Sequence, residues 1–228
     1  MFCLPYAGGG ASVYVPWANL LPPSIELCAV QLPGRERRIR EPAFTSTAGL
    51  IAALVPELRP LLDRPFVLFG HSMGALLSFE LARALRRQGI QPHALLVSGH
   101  RGPQLPPSHP PLHALPQPEL IEELRQMNGT PTEVLDHPEL LELLVPVIRA
   151  DFQLCETYGY IPEPPFDFPI SAFGGLQDPL CSREELAGWS EQTTAAGTYR
   201  MLPGDHFFLH TNRQMLLQAL LLDLRRLL

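Results

Sequence analysis

At 228 residues with 46% hydrophobic and 18% charged side chains, the chain has the length and composition of one globular domain with a sizeable core. A net charge of -6, with no basic stripe, argues against a nucleic-acid-binding surface. The 4 cysteines are widely spaced with no C-x-x-C pair, so reduced cytoplasmic thiols are expected rather than a zinc site or a disulfide framework.

In chain order, Phe2-Cys3-Leu4 reads as a short strand that runs into Pro5-Tyr6-Ala7-Gly8-Gly9-Gly10. This Gly-rich loop matches neither G-x-x-x-x-G-K-[ST] nor G-x-G-x-x-G. It is a turn, or a loop whose backbone N–H serves as an oxyanion donor, with Ala7 the favoured donor and Gly8 its neighbouring alternative. Residues 25–32 read as the next strand, followed by the charge cluster Arg35 to Arg40, taken as a solvated loop or a basic docking surface. Residues 45–62 carry helical spacing through Leu50, Leu54, Leu58 and Leu61.

Phe66 to Phe69 is a buried apolar strand ending in Gly70-His71-Ser72-Met73-Gly74, and an apolar helix follows to Gln88-Gly89. G-x-S-x-G between a strand and a helix predicts a nucleophile elbow. Its glycines permit close packing, its serine stands proud of the sheet, and Met73 N–H lies at the helix N-terminus. Residues 93–98 form another strand, and this strand-helix alternation predicts a parallel, doubly wound α/β sheet.

The pattern breaks between residues 103 and 165. A Pro-rich crossing (Pro103 to Pro118) precedes a helix over 119–127 and a second helix opened by a capping box, Asp136-His137-Pro138-Glu139. The second helix is expected to turn Leu140, Leu141, Leu144, Val147, Ile148 and Phe152 inward. A helical insertion between sheet strands predicts a lid over the C-terminal edge of the sheet within a single 1–228 domain. Tyr158 and Tyr160 either border the slot beneath it or anchor the insertion. Strands follow at 168–173 and 197–202, and Thr211 to Gln214 reads as a capping box for the closing helix.

Ser72, Asp178 and His206 each follow a predicted strand and stand in the order Ser…Asp…His of the α/β-hydrolase triad. His206 would move the Ser72 proton, Asp178 would fix the imidazole, and the N–H groups of Met73 and Ala7 would hold the oxyanion. Asp205 is the alternative acid, disfavoured because it adjoins His206 and neighbouring residues in a loop seldom point at one another. Asp151 and Asp167 lack the strand-loop context, His71 and His210 read as lying outside the triad, and Glu80 reads as bonding within the body. The eight histidines show no H-x-x-x-H grouping, and neither metal nor cofactor is expected. No apolar run approaches ~18 residues, so no membrane span is predicted.

The stretches Leu4-Pro5-Tyr6-Ala7-Gly8-Gly9-Gly10-Ala11, Leu32-Pro33-Gly34-Arg35-Glu36, Gly70-His71-Ser72-Met73-Gly74-Ala75, Phe173 to Pro179 and Gly204-Asp205-His206-Phe207-Phe208 together resemble the type II thioesterases of polyketide and non-ribosomal peptide synthesis. The resemblance spans nearly the whole chain, although the family's first strand usually has more residues ahead of it than Met1 supplies. It implies an α/β-hydrolase fold and a monomeric, free-standing cytoplasmic enzyme. Such an enzyme removes aberrant or stalled acyl groups from the phosphopantetheine arm of acyl and peptidyl carrier domains. The family's triad falls on Ser72, Asp178 and His206. Spacing alone does not separate this from a carboxylesterase or lipase-like hydrolase of small esters, or from a non-catalytic binding module on the same fold.

Overall fold

In the computed structural model, which describes residues 1–130 and 132–227, six strands form one parallel sheet. The chain runs through β1 (Phe2–Leu4), a 3-10 turn over Ala11–Trp17, β2 (Cys28–Ala29), α1 (Thr47–Leu58), β3 (Val67–His71), α2 (Met73–Arg86) and β4 (Ala94–Ser98). The inserted α3 (Gln117–Met127), α4 (Thr132–Leu135) and α5 (Pro138–Glu156) follow. Next come β5 (Ile170–Gly175), α6 (Arg183–Ala187), β6 (Thr198–Leu202), α7 (Phe208–Thr211) and α8 (Arg213–Leu227).

The strand order is β2-β1-β3-β4-β5-β6. From β1 the chain winds outward to β2, then returns to the other side of β1 and winds the opposite way. The sheet therefore reverses its winding between β1 and β3, and a crevice opens beyond their C-terminal ends. Successive residues of a strand point to opposite faces. Phe2, Leu4, Leu68, Leu95 and Val97 accordingly pack on the α1–α2 side, while Cys3, Val67, Phe69, Ala94 and Leu96 pack with Tyr14, Trp17 and the leucines of α8. Both faces are covered, which is why these strands read as near-continuous apolar runs.

Several local expectations are corrected. The strand expected over 25–32 pairs only at Cys28 and Ala29, because its partner β1 is three residues long; before it, Ile25 N–H turns back onto Pro22 C=O. Asp136 does not cap α5. His137 occupies the cap position without a side-chain bond, and Asp136 instead pairs with Arg125 at 2.5 Å. Leu140 is 40% exposed, since Leu141, Val145 and Ile148 carry the apolar stripe that meets Leu120, Leu124 and Leu135 in a small core private to the insertion. Thr211 closes α7, and α8 begins two residues on at Arg213. A capping box does form at Ser182 and Glu185, where each side chain binds the other's backbone N–H.

Candidate active site

The turn from β3 into α2 is held by backbone contacts that leave no room for side chains. A Cβ on Gly70 would lie 1.9 Å from Gly74 O, and one on Gly74 would lie 2.0 Å from Leu4 O. Between them Ser72 takes φ 53 and ψ -118, a conformation costing about 1–3 kcal/mol that its surroundings must impose. Ser72 N–H donates to Ser98 O at 2.8 Å, which ties the elbow to β4, and Ser72 C=O accepts the first bond of α2 from Ala75 N–H at 2.9 Å. Among the described residues the serine hydroxyl has no hydrogen-bond partner.

His71 lies beneath the serine, fully buried, with Nδ1 3.0 Å from Ser98 Oγ. Burial holds its pKa well below the usual imidazole range, with the neighbouring His206 and His210 adding to the effect, so it stays neutral. Its ring centroid lies 5.1 Å from that of His206.

β5 and β6 deliver the other two groups. His206 Nδ1 lies 2.8 Å from Asp178 Oδ2, while Asp178 Oδ1 accepts the Leu180 N–H at 2.8 Å. Both side chains are almost wholly buried, at 6% and 0% exposure. A carboxylate only accepts, so in the neutral imidazole the Nδ1–H faces Asp178 and Nε2 carries the lone pair. The loops bearing them meet where Gly175 packs against Asp205, whose backbone oxygen would lie 2.5 Å from a Cβ at 175. Asp205 accepts from Phe207 N–H at 2.9 Å, and His210 Nε2 lies 2.9 Å from Tyr6 Oη; neither joins the His206–Asp178 pair.

Ser72, His206 and Ala7 line one cavity of about 50 Å³, closed by Leu124, Met127 and Gly129 of the insertion and by Ile148 and Phe152 of α5. A far larger groove of about 840 Å³ lies between α1, α2 and Tyr158, and it contains none of these three residues. The volume of a groove is a poor guide here; the candidate residues Ser72 and His206 line the small cavity.

The loop after β1 reaches the same cavity. Gly9 N–H closes a turn onto Tyr6 O at 2.9 Å, with Gly8 at φ 77 in its third position, where a side chain would be strained. Of the two candidate donors, Gly8 N–H is taken by Asp151 Oδ2 at 2.7 Å. Ala7 N–H has no acceptor among the described residues. Met73 N–H, at the first position of α2, is likewise without an intrahelical partner.

Two residues escaped the sequence reading. Arg35 is buried rather than part of a solvated cluster, and its guanidinium grips Asp151 of α5 in a two-bond fork at 2.6 and 2.8 Å. Nothing in their spacing, 116 positions apart, links them. The available sign was an acid on the apolar stripe of α5, three residues after Ile148 and three before Leu154. The rest of the cluster is as expected for a solvated loop: Arg37 and Arg40 are exposed and Arg38 pairs with Glu41. Tyr158 and Tyr160 serve as anchors, donating to Glu80 at 2.8 Å and to Gln192 at 3.1 Å.

Residues 1–224 match the family described as Thioesterase domain. The chain is 43% identical over 226 residues to the gramicidin S biosynthesis protein GrsT of Aneurinibacillus migulanus, covering 99% of this chain and 88% of that protein. It is 45% identical over 221 residues to the protein named linear gramicidin dehydrogenase LgrE of Brevibacillus parabrevis, covering 95% and 84%. Among solved structures, the type II thioesterase BorB from the borrelidin biosynthetic cluster superposes with a TM-score of 0.89 at 40% identity, covering 96% of this chain and 89% of that one.

Proposed function

The chain belongs to the thioesterase family, and from that membership we propose that it is a type II thioesterase that clears acyl groups from the phosphopantetheine arms of carrier domains in polyketide or non-ribosomal peptide assembly. Ser72 is the nucleophile, His206 the base and acid, and Asp178 the group that orients the imidazole. The observation that carries this reading is the His206–Asp178 bond, placed at a cavity that also holds a strained, unpartnered serine.

The chemistry follows from those positions. Ser72 Oγ adds to the thioester carbonyl carbon while His206 Nε2 takes its proton, and the imidazolium is stabilised by the carboxylate of Asp178. Negative charge builds on the former carbonyl oxygen, which the N–H groups of Met73 and Ala7 receive; such donors are each worth about 10²–10³ in turnover. Collapse of the tetrahedral adduct breaks the C–S bond. The departing pantetheine sulfur takes the proton back from His206, leaving an acyl-serine. Water then repeats the sequence, with His206 as base, and releases the acid. Every proton in this cycle is carried by a side chain of the protein.

A cavity of about 50 Å³ is small beside an acyl chain joined to a pantetheine arm. The 103–165 insertion would then act as a lid that shifts to admit a longer acyl chain and the pantetheine arm. Among the described residues no helix is long and apolar enough to cross a membrane. The word dehydrogenase in one relative's name finds no counterpart in the loop after β1. There the third glycine of a G-x-G-x-x-G reading that starts at Gly8 is replaced by Val13.

Turnover of one acyl group presented on a carrier protein, on coenzyme A and as a nitrophenyl ester tests the proposal. Preference for the carrier-bound thioester is expected. Faster turnover of the simple ester would favour a general carboxylesterase.

A further inference from the structure

Resting on the serine-thioesterase reading, we infer that Arg35 and Asp151 form a positioning clamp that sets the oxyanion donor at Ala7 and ties it to the insertion. The Asp151 carboxylate accepts three donors: Arg35 Nη1 at 2.6 Å, Arg35 Nη2 at 2.8 Å and Gly8 N–H at 2.7 Å. Arg35 also donates from Nη1 to Gly9 O at 3.1 Å and from Nε to Pro33 O at 3.2 Å. One ion pair thus grips the backbone N–H of Gly8 and the backbone C=O of Gly9, the two residues that follow the proposed donor.

The grip has a specific consequence for the Tyr6–Gly9 turn. Its central peptide, between Ala7 and Gly8, is the unit that flips when one turn type converts to another. With Gly8 N–H directed at a buried carboxylate, the flipped form would aim the Ala7 carbonyl at a negative charge. The clamp therefore admits one orientation of this peptide and holds the turn in one form, with Gly8 N–H spent and Ala7 N–H, on the preceding peptide, left for the oxyanion. A glycine pair would otherwise be among the loosest stretches of backbone in the site.

Stability is a weak explanation for the pair. Its side chains are 5% and 2% exposed, and a buried ion pair often contributes no more than apolar residues of the same volume. What apolar residues would not supply is direction, and a fork with two parallel bonds fixes angle as well as distance. The same helix places Ile148 and Phe152 in the wall of the acyl cavity. Displacement of α5 by a bound acyl group would therefore be felt at Gly8 through Asp151.

The test compares the parent with the double variant Arg35→Met/Asp151→Leu, which removes both charges together, and with Arg35→Lys, which keeps the charge and loses the fork. Three quantities are read on a short-chain nitrophenyl ester and on the trifluoromethyl ketone of the same acyl group: kcat, KM and the ketone's inhibition constant. In the double variant kcat is expected to fall about 10²-fold with KM little changed, and ketone binding to weaken by the same factor, because the ketone adduct carries the oxyanion. Arg35→Lys should fall between the two, and it decides the matter if the double variant does not fold. A folded variant with parental kcat, or a lower kcat with unchanged ketone binding, would overturn the clamp. Ser72→Ala measured alongside separates the two readings: parental turnover there would remove the serine mechanism itself, whereas parental turnover in the clamp variants alone removes only the clamp.

Discussion

The elbow and the helical insertion meet at one cavity, yet they are held in place by different means. At the elbow, backbone lies directly on backbone: Gly70 on Gly74, Gly74 on Leu4, with Ser72 bonded across to β4. The insertion has its own apolar core, and beyond Leu154, which packs in the main core, much of its attachment to the body is polar, including Glu163 paired with Arg83, Arg86 and Arg87 at the C-terminal end of α2. Asp151 reaches Gly8 and Arg35, Tyr158 reaches Glu80, and the Thr47 hydroxyl donates to Leu154 O. The contrast separates two tasks. Close-packed backbone fixes Ser72, while the cover is held largely by side-chain bonds that can be broken without touching the elbow.

The sharpest way to break the comparison is through the body-side pair. Asp178→Asn should lower turnover by about 10⁴-fold with the fold intact, since the amide no longer holds His206 in the tautomer that frees Nε2. A loss under about tenfold would show that another acid serves the imidazole. Next in size is Gly74→Ala. Its methyl group meets Leu4 O at 2.0 Å with only backbone to give way, so a loss of at least about 3 kcal/mol or failure to fold is expected. Chemical denaturation would read it, and a neutral result would show that the elbow is less rigid than its contacts imply. The smallest effect belongs to one of these side-chain bonds. Tyr158→Phe should cost about 1–2 kcal/mol, as the Glu80 carboxylate loses one donor while keeping Arg83, and it should leave kcat on a small ester unchanged. A collapse of activity in that variant would mean that the insertion positions the serine after all.

The same contrast explains what could be read from the sequence. Gly70, Ser72 and Gly74 announce their geometry because cause and effect lie within five residues. The pairing of Asp178 with His206 was legible because each follows a strand, and in a parallel sheet such loops gather at one edge. Ala7 is favoured over Gly8 in the sequence with no local residue to decide it, because the group that occupies Gly8 N–H, Asp151, lies more than 140 positions away. Arg35 was hidden for a related reason: a buried arginine and its exposed neighbours Arg37 and Arg40 are alike in a string of letters, and burial is settled by the partner that arrives from α5. The short β2 and the unused Asp136 cap show the same dependence. The length of β1 limits the first, and Arg125 draws the second away from its helix.

The account stands most directly on where the acyl group goes. Rapid mixing with an acyl-carrier thioester, acid quenching and mass analysis of the digested protein should find the acyl group transiently on the peptide carrying Ser72. Ser72→Ala should lack that adduct and lose about 10⁶-fold in turnover. Acylation of a different residue, or undiminished hydrolysis by Ser72→Ala, would contradict it.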